Sequence, residues 1–202
     1  MEGLYRRNLI NALSGFKSVN LVGTQNQANQ TNLALFSQIF HIGATPPLMG
    51  MIVRPDTRAR HTLENIRATG YYTFNHITSD FYQKAHQTSA RYTGSEFEAC
   101  GLSPSYSTGH PAPYVGESLL KIGLKLEEEH RLAINGTILV IGRVVELQLP
   151  EDCVQADGFI DLEAIGSITC SGLDSYHKTE RLARLSYAKP DRPLKVISLG
   201  EK

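Results

Sequence analysis

Apolar and polar residues alternate most regularly between residues 120 and 126. Leucine and isoleucine occupy the even positions, whereas Lys121, Gly123 and Lys125 occupy the odd ones. A period of two residues predicts a β-strand with one buried face and one face in solvent. The pair Asn135-Gly136 then separates two apolar runs. This pair predicts a β-hairpin with a type I′ turn, because both central residues of that turn need a positive φ.

Further apolar runs, rich in β-branched and aromatic residues, predict additional strands. One of them follows Pro46-Pro47, which cannot lie inside a helix and which delivers an extended chain. In the second arm of the hairpin, Gly142 is predicted to mark a bend or bulge. The additional strands are predicted at residues 19–23, 48–53, 71–74 and 137–149.

Helical patterns are fewer. A helix is predicted at residues 61–69, with Thr62 as its N-cap and Gly70 at the C′ position. Two more are predicted at residues 80–90 and 179–185. Because strands outnumber helices and follow one another through hairpins, the sequence predicts a mainly β fold. An antiparallel sheet that closes into a small β-barrel, with peripheral helices, fits this pattern best.

The composition is that of an ordinary globular protein of 202 residues, with 41% apolar and 20% charged residues. Lys plus Arg and Asp plus Glu number 20 each, so the net charge is zero. That balance argues against nucleic acid or an anionic membrane as a partner. No segment approaches the roughly 20 apolar residues of a membrane span.

The cysteines and histidines show no spacing typical of a metal site, so none is predicted. Cys100, Cys153 and Cys170 lie far apart and form no CxxC pair. They are interpreted as buried, reduced thiols, because free cysteine is usually buried and disulfides are rare in reducing compartments. A cytoplasmic location is therefore expected.

A basic segment at residues 54–62 leaves a predicted strand and enters a predicted helix. Its basic residues are Arg54, Arg58, Arg60 and His61. The first N–H groups of a helix have no partner within it, and the helix dipole places partial positive charge there. The segment therefore predicts an anion site suited to a phosphate, with Thr62 as either the helix cap or a hydroxyl donor to the anion. The alternative is a solvated basic loop.

A tract dense in amides and hydroxyls at residues 23–32 is interpreted first as a polar hairpin loop. The chain continues through residues 32–38, where small and amide residues interrupt an apolar strand. A flat heteroaromatic ring needs such surroundings, since backbone N–H and C=O groups bond its edge and apolar side chains cover its face. The alternative is an ordinary strand with Asn32 and Ser37 on its solvent side.

Several segments together resemble one known family. They are Asn32-Leu33-Ala34-Leu35-Phe36-Ser37, Pro46-Pro47-Leu48-Met49-Gly50, Arg60-His61-Thr62-Leu63-Glu64-Asn65-Ile66 and Gly70-Tyr71-Tyr72-Thr73-Phe74-Asn75. The likeness continues through residues 95–98, 136–144, 172–177 and 186–190. In this order and spacing, the segments resemble the flavin reductase-like family of FMN-binding split barrels.

The resemblance implies a Greek-key split barrel over residues 18–202, after an N-terminal extension at residues 1–17. It also implies a homodimer that binds FMN non-covalently near the subunit interface. The implied contacts to the isoalloxazine ring come from Thr31, Asn32, Leu33, Ala34, Ser37 and Gln38. Those to the ribityl phosphate come from Arg54, Arg60, His61 and Thr62, with Asn65 bracing the turn and His86, Ser89 and Arg91 closing over the phosphate side.

The implied activity is that of an NAD(P)H:flavin oxidoreductase, whose chemistry belongs mainly to the cofactor, so no protein acid or base is assigned. From their position, Tyr176 and His177 are expected to flank the nicotinamide. Two alternatives stay open. One is an FMN-holding electron-transfer protein of the flavoredoxin type, which exchanges electrons with a redox partner protein. The other is a barrel of this kind that carries a different ligand.

Overall fold

A computed structural model describes residues 2–57 and 60–199 of the chain. Its helices are α1 (Gly3–Ala12), α2 (His61–Thr69), α3 (Tyr82–Gln87) and α4 (Glu96–Ala99), and a 3-10 turn covers Glu151–Cys153. Its strands are β1 (Lys17–Ser18), β2 (Asn20–Gln25), β3 (Thr31–Phe36), β4 (Ile39–Ala44), β5 (Pro47–Val53), β6 (Tyr71–His76), β7 (Pro104–Ser105), β8 (Tyr114–Val115), β9 (Lys121–Arg131), β10 (Ile138–Gln148), β11 (Thr169–Ser171), β12 (Ser175–His177), β13 (Arg184–Leu185) and β14 (Val196–Ile197).

Seven antiparallel strands form the main sheet, in the order β3-β2-β6-β9-β10-β5-β4. Strands β3 and β4 lie at opposite edges of this order, yet only Ser37 and Gln38 separate them along the chain. Three Cα steps span at most about 11 Å, so the two edges of the sheet must approach each other. The sheet therefore curls into a barrel, which confirms the mainly β prediction.

The strands predicted from apolar runs are present. Residues 19–23, 48–53 and 71–74 fall on β2, β5 and β6, and the two arms of the predicted hairpin are β9 and β10. The alternation buries Leu120, just before β9, and Ile122 and Leu124 within it, as expected. The register between β9 and β10 shifts at Gly142, which confirms the predicted bulge.

The turn of this hairpin differs from the prediction. Six residues, 132–137, connect β9 to β10, and only Gly136 among them has a positive φ, of 72°. The side chain of Asn135 accepts a hydrogen bond from the Thr137 N–H (3.0 Å), while the Gly136 N–H donates to the Leu132 carbonyl (2.8 Å). The type I′ turn was wrong because Asn135 closes the loop through its side chain and has no need of a left-handed backbone.

Two apolar clusters stabilise the fold. One fills the barrel between the main sheet and α2, and includes Leu63, Ile66 and Tyr72. The other lies outside β3, under α3 and α4, and includes Phe81 and Phe97. All three cysteines are free and buried, as predicted.

Helix α2 has the predicted bounds, and Gly70 ends it with a φ of 77° and an N–H bond to the Ile66 carbonyl. Its N-cap is Arg60, whose N–H donates to Glu64 Oε1 (3.2 Å). Thr62 is therefore not the N-cap. It is the second residue of the helix, and its hydroxyl accepts a hydrogen bond from Asn32 of β3.

The remaining helix predictions need correction. Helix α3 is shorter than predicted, so residues 88–90 lie beyond its end. No helix forms at residues 179–185, since Arg184 stacks 3.9 Å from the Phe159 ring centre and pairs with Asp157, which holds that segment extended. Helix α1 was not predicted and buries none of its residues. In the part of the chain that the structure describes, no helix is long and apolar enough to cross a membrane.

Candidate functional site

A cavity of about 1210 Å³ opens where β3, the start of α2 and the segment after α3 meet. Strand β3 and its turn into β4 contribute Asn32 and residues 34–38, and β5 contributes its last residues with Arg54. The start of α2 contributes residues 60–62. Its other lining residues are Ile10, Asn11, Ser14, Thr88, Ser89, Ala90, Arg91, Tyr92, Glu96, Leu132, Asn135, Thr137 and Leu173.

A buried network of hydroxyls and amides lies behind the cavity and joins β2, β3 and α2. The Asn32 side-chain nitrogen donates to Thr24 Oγ1 (3.2 Å) and to Thr62 Oγ1 (3.0 Å). The Asn65 side-chain nitrogen also donates to Thr24 Oγ1, at 3.1 Å. All four residues are less than 9% exposed. The network therefore fixes the helix against the strand that forms the cavity wall.

The arginines divide into two groups. Those on the outside of the barrel and on the C-terminal segment pair with carboxylates: Arg67, Arg131, Arg143, Arg181, Arg184 and Arg192. Arg54, Arg60 and Arg91 line the cavity, and none of them has a carboxylate within 4 Å among residues 2–57 and 60–199. Arg6 and Arg7 on α1 share that property, and Arg58 lies outside the described residues. The cavity thus concentrates uncompensated positive charge in a chain of zero net charge.

The first turn of α2 adds hydrogen-bond donors to this charge. No hydrogen bond occupies the N–H groups of His61, Thr62 or Leu63 in the described structure, and Arg60 provides no side-chain cap. Among the described residues, the Arg60 guanidinium has one hydrogen-bond partner, the Pro55 carbonyl, at 3.4 Å from both Nε and Nη2. Among the described residues, these helical N–H groups and guanidinium groups therefore lie together without an acidic partner, which is the arrangement that binds an anion in other helices.

Strand β3 is an edge strand, and the cavity lies along it. The Leu33 N–H points away from β2 and donates to Glu96 Oε2 (3.0 Å). Because N–H groups alternate between the two sides of an antiparallel strand, the Leu35 N–H points the same way. Leu35 lines the cavity, so its backbone groups are available to a planar ligand.

The structure brings most of the predicted site residues together. Ten of them line the cavity: Asn32, Ala34, Ser37, Gln38, Arg54, Arg60, His61, Thr62, Ser89 and Arg91. The other four lie elsewhere. Thr31 bonds Ser95 (2.7 Å) at the start of α4, and the Leu33 side chain is fully buried in the outer cluster. Asn65 lies behind the cavity in the buried network.

His86 is directed away from this cavity. Its Nδ1 lies 2.7 Å from the Tyr176 hydroxyl, which borders a second cavity of about 420 Å³. His177 also lines that second cavity, with its Nε2 2.9 Å from Ser171 Oγ. Burial, with Cys170 and Asp174 nearby, raises the pKa of Tyr176 to about 12, so this tyrosine is a neutral hydrogen-bonding group near pH 7. Tyr176 and His177, which were expected beside a nicotinamide, thus line this second cavity and not the 1210 Å³ cavity.

Several residues in or behind the cavity were not predicted from the sequence as site residues. Thr24 was noticed only as part of a polar loop, yet it lies within β2 and is completely buried. Glu96 is the one carboxylate among the described lining residues. Ile10 and Asn11 of α1 also reach the cavity, although the extension had no assigned role.

Comparisons with known proteins agree with this geometry. A family model described as flavin reductase like domain matches residues 16–161. A protein of Shewanella frigidimarina assigned as a flavin reductase with a split barrel domain is 54% identical, with a TM-score of 0.90 over 93% of this chain and 94% of that one.

Two more distant structures share the fold. Nitrilotriacetate monooxygenase component B from Bacillus cereus is 22% identical, with a TM-score of 0.82 over 92% of this chain and 95% of that one. Flavoredoxin of Desulfovibrio vulgaris is also 22% identical, with a TM-score of 0.71 over 88% of this chain and 92% of that one. The predicted split barrel is confirmed, and the cavity residues from Asn32 to Thr137 lie within the segment that the family model matches.

Proposed function

Because the chain belongs to the flavin reductase-like family of flavin-binding oxidoreductases, we propose that it binds FMN non-covalently in the 1210 Å³ cavity. We further propose that NAD(P)H reduces the bound flavin.

The observation that carries the proposal is the uncompensated charge at one end of the cavity. Within the described ranges, Arg54 and Arg60 have no carboxylate partner, and no hydrogen bond occupies the N–H groups of the adjoining first turn of α2. A phosphate monoester offers only acceptor oxygens and about two negative charges, so it matches this donor set. Arg91, which lines the same cavity, adds a third cation.

The rest of the cavity is suited to the isoalloxazine ring. Ala34 leaves room over the face of β3, and the Leu35 backbone lies at the open edge of that strand. Ser37 and Gln38 add polar groups at the turn. The volume also exceeds the roughly 300–1,000 Å³ of an ordinary small-ligand pocket, which leaves space for a second planar ligand such as a nicotinamide.

When bound, FMN would supply the hydride-accepting and electron-donating chemistry. The residues of the chain would bind and orient it. Glu96 is held by its bond to the Leu33 N–H, so it is a fixed negative charge beside the ring site and is not assigned as an acid or base. Tyr176 and His177 line the second cavity, so they are not assigned to a nicotinamide bound in the first.

We also propose that the protein is a homodimer and that its flavin domain begins at residue 18. The apolar residues that stay exposed on α1 and on the strands β4 and β10 are consistent with a homodimer, which the family resemblance implies. Residues 18–202 would form the flavin domain and residues 1–17 an extension that borders its cavity. A redox partner protein is expected only if nicotinamides fail to reduce the flavin.

The test is an absorbance spectrum of the purified protein with added FMN, followed by anaerobic addition of NADH and then NADPH. Flavin bands that bleach on addition of either nucleotide support the proposed oxidoreductase. Bound flavin that stays oxidised would instead favour the flavoredoxin-like electron-transfer protein. A protein that binds no FMN would refute the proposal.

A further inference from the structure

Thr24 lies outside the cavity but at the centre of the network behind it. It is 0% exposed and faces Asn32 across the β2–β3 ladder. Its hydroxyl oxygen accepts hydrogen bonds from the side-chain nitrogens of Asn32 (3.2 Å) and Asn65 (3.1 Å). A hydroxyl oxygen has two acceptor positions, so both are used by these two amides.

The hydrogen bond from Asn32 to Thr24 determines which atom of the Asn32 amide faces Thr62. With one amide hydrogen on Thr24, Asn32 directs the other to Thr62 Oγ1 at 3.0 Å. An amide nitrogen can only donate, so Thr62 must accept in this contact. No described residue accepts the hydroxyl hydrogen of Thr62, and Thr62 lines the cavity beside Arg60.

We infer that Thr24 is a positioning residue for the phosphate end of the cavity, an inference that rests on the proposed function. Its hydroxyl holds the nitrogen of Asn32 toward α2, and Asn32 in turn makes Thr62 a donor to the bound anion. Without the Thr24 hydroxyl, the Asn32 amide can turn so that its oxygen faces Thr62. The Thr62 hydroxyl would then donate to Asn32 and would be withdrawn from the cavity.

The experiment measures the dissociation constants of FMN and of riboflavin, which lacks the phosphate, for four proteins by flavin fluorescence quenching. Thr24→Val removes the hydroxyl at nearly constant shape, and Thr24→Ser keeps it. Thr73→Val is the matched control, because Thr73 is also 0% exposed and has two hydrogen bonds, to the Pro113 carbonyl and from Asn75. Thr73 does not line the cavity.

Thr24→Val should weaken FMN binding about tenfold or more, as expected for loss of a hydrogen bond to a charged group. Riboflavin binding should change much less, so the preference for FMN over riboflavin falls. Thr24→Ser should keep the wild-type preference. Thr73→Val should lower the melting temperature and leave the preference unchanged.

An unchanged preference in Thr24→Val, or an equal fall in Thr73→Val, would overturn the inference. If the valine variant does not fold, Thr24→Ala gives the same comparison without placing a methyl group against the Asn32 and Asn65 amides. A wild-type protein that binds FMN no better than riboflavin would contradict the phosphate site itself. That outcome separates a failure of the proposed function from a failure of the role of Thr24.

Discussion

The strongest consequence of the proposed phosphate site concerns Arg60 and Thr62. Within residues 2–57 and 60–199, the Arg60 guanidinium makes two long hydrogen bonds of 3.4 Å, both to the Pro55 carbonyl, so its removal should cost little stability. Thr62 is 6% exposed and accepts from Asn32, so Thr62→Ala leaves one buried amide hydrogen unbonded. We therefore expect the Arg60→Ala, Thr62→Ala double variant to fold, with the loss of stability coming from Thr62.

The expected effect on FMN binding follows from the contacts removed. A hydrogen bond to a charged group contributes about 1.5–3 kcal/mol, which corresponds to about 10- to 150-fold in the dissociation constant. Both side chains would contact the same phosphate, so their contributions are not additive. The double variant should lose at least one such contact, on the order of 1.5–3 kcal/mol of binding free energy.

The assay is a fluorescence titration of FMN and riboflavin at fixed ionic strength, with circular dichroism to verify folding. Arg143→Ala is the matched control, since it also removes one positive charge but lies on the outside of the barrel, where Arg143 Nε bonds Glu127 Oε1 at 2.7 Å. Wild-type FMN affinity in the folded double variant would show that the phosphate lies elsewhere. An equal loss in Arg143→Ala would show that only overall charge matters.

Three further predictions test other parts of the structure. Glu96→Gln should tighten FMN binding by about 0.2–1 kcal/mol, because it removes a negative charge from the cavity wall; weaker binding in the same titration would contradict this. Burial lowers the pKa of His76 to about 4 from an ordinary value of 6.5. Between these two pH values His76 is protonated in the unfolded chain but neutral in the folded protein. The free energy of unfolding should therefore fall by up to about 3 kcal/mol as the pH drops from about 6.5 to about 4. In urea unfolding at several pH values, the free energy of unfolding of His76→Gln should fall less toward acid pH than that of the wild type. An equal fall in the two proteins would refute this role of His76. Gly142→Ala should destabilise the barrel by about 1–3 kcal/mol, because the added Cβ would lie 2.1 Å from the buried Tyr72 hydroxyl. Gly94→Ala, whose Cβ meets nothing within 4 Å, is its control in thermal melts, and equal melting temperatures would count against the clash.

The features that the sequence predicted are those encoded locally. The two-residue period of β9 shows its buried face directly, and Gly70 marks the end of α2 because the C′ position needs a left-handed backbone. The proposed anion site also rests on a local pattern, since residues 54–62 place basic side chains just before a helix start. In each case the residues that create the feature are within a few positions of one another.

The features that the sequence did not predict depend on distant partners. Thr24 accepts its second buried hydrogen bond because Asn65, 41 residues later, packs against it. The segment at 179–185 has a helical pattern, yet Arg184 pairs with Asp157 and Phe159 of another loop, which overrides that local preference. His86 was expected near the phosphate, but its hydrogen bond to Tyr176 holds it at the second cavity.

The location of the cavity also follows from how the barrel is built. Strands β3 and β4 are the two edges of the sheet and are joined by Ser37 and Gln38, but no ladder connects them among the described residues. An unpaired strand edge normally exposes N–H and C=O groups that attract another strand. Here Glu96 occupies the Leu33 N–H, and the Leu35 backbone remains open to the cavity. In the proposed complex, the edge of the isoalloxazine ring would take the position that a further strand would otherwise fill, so the opening between β3 and β4 would itself be part of the cofactor site.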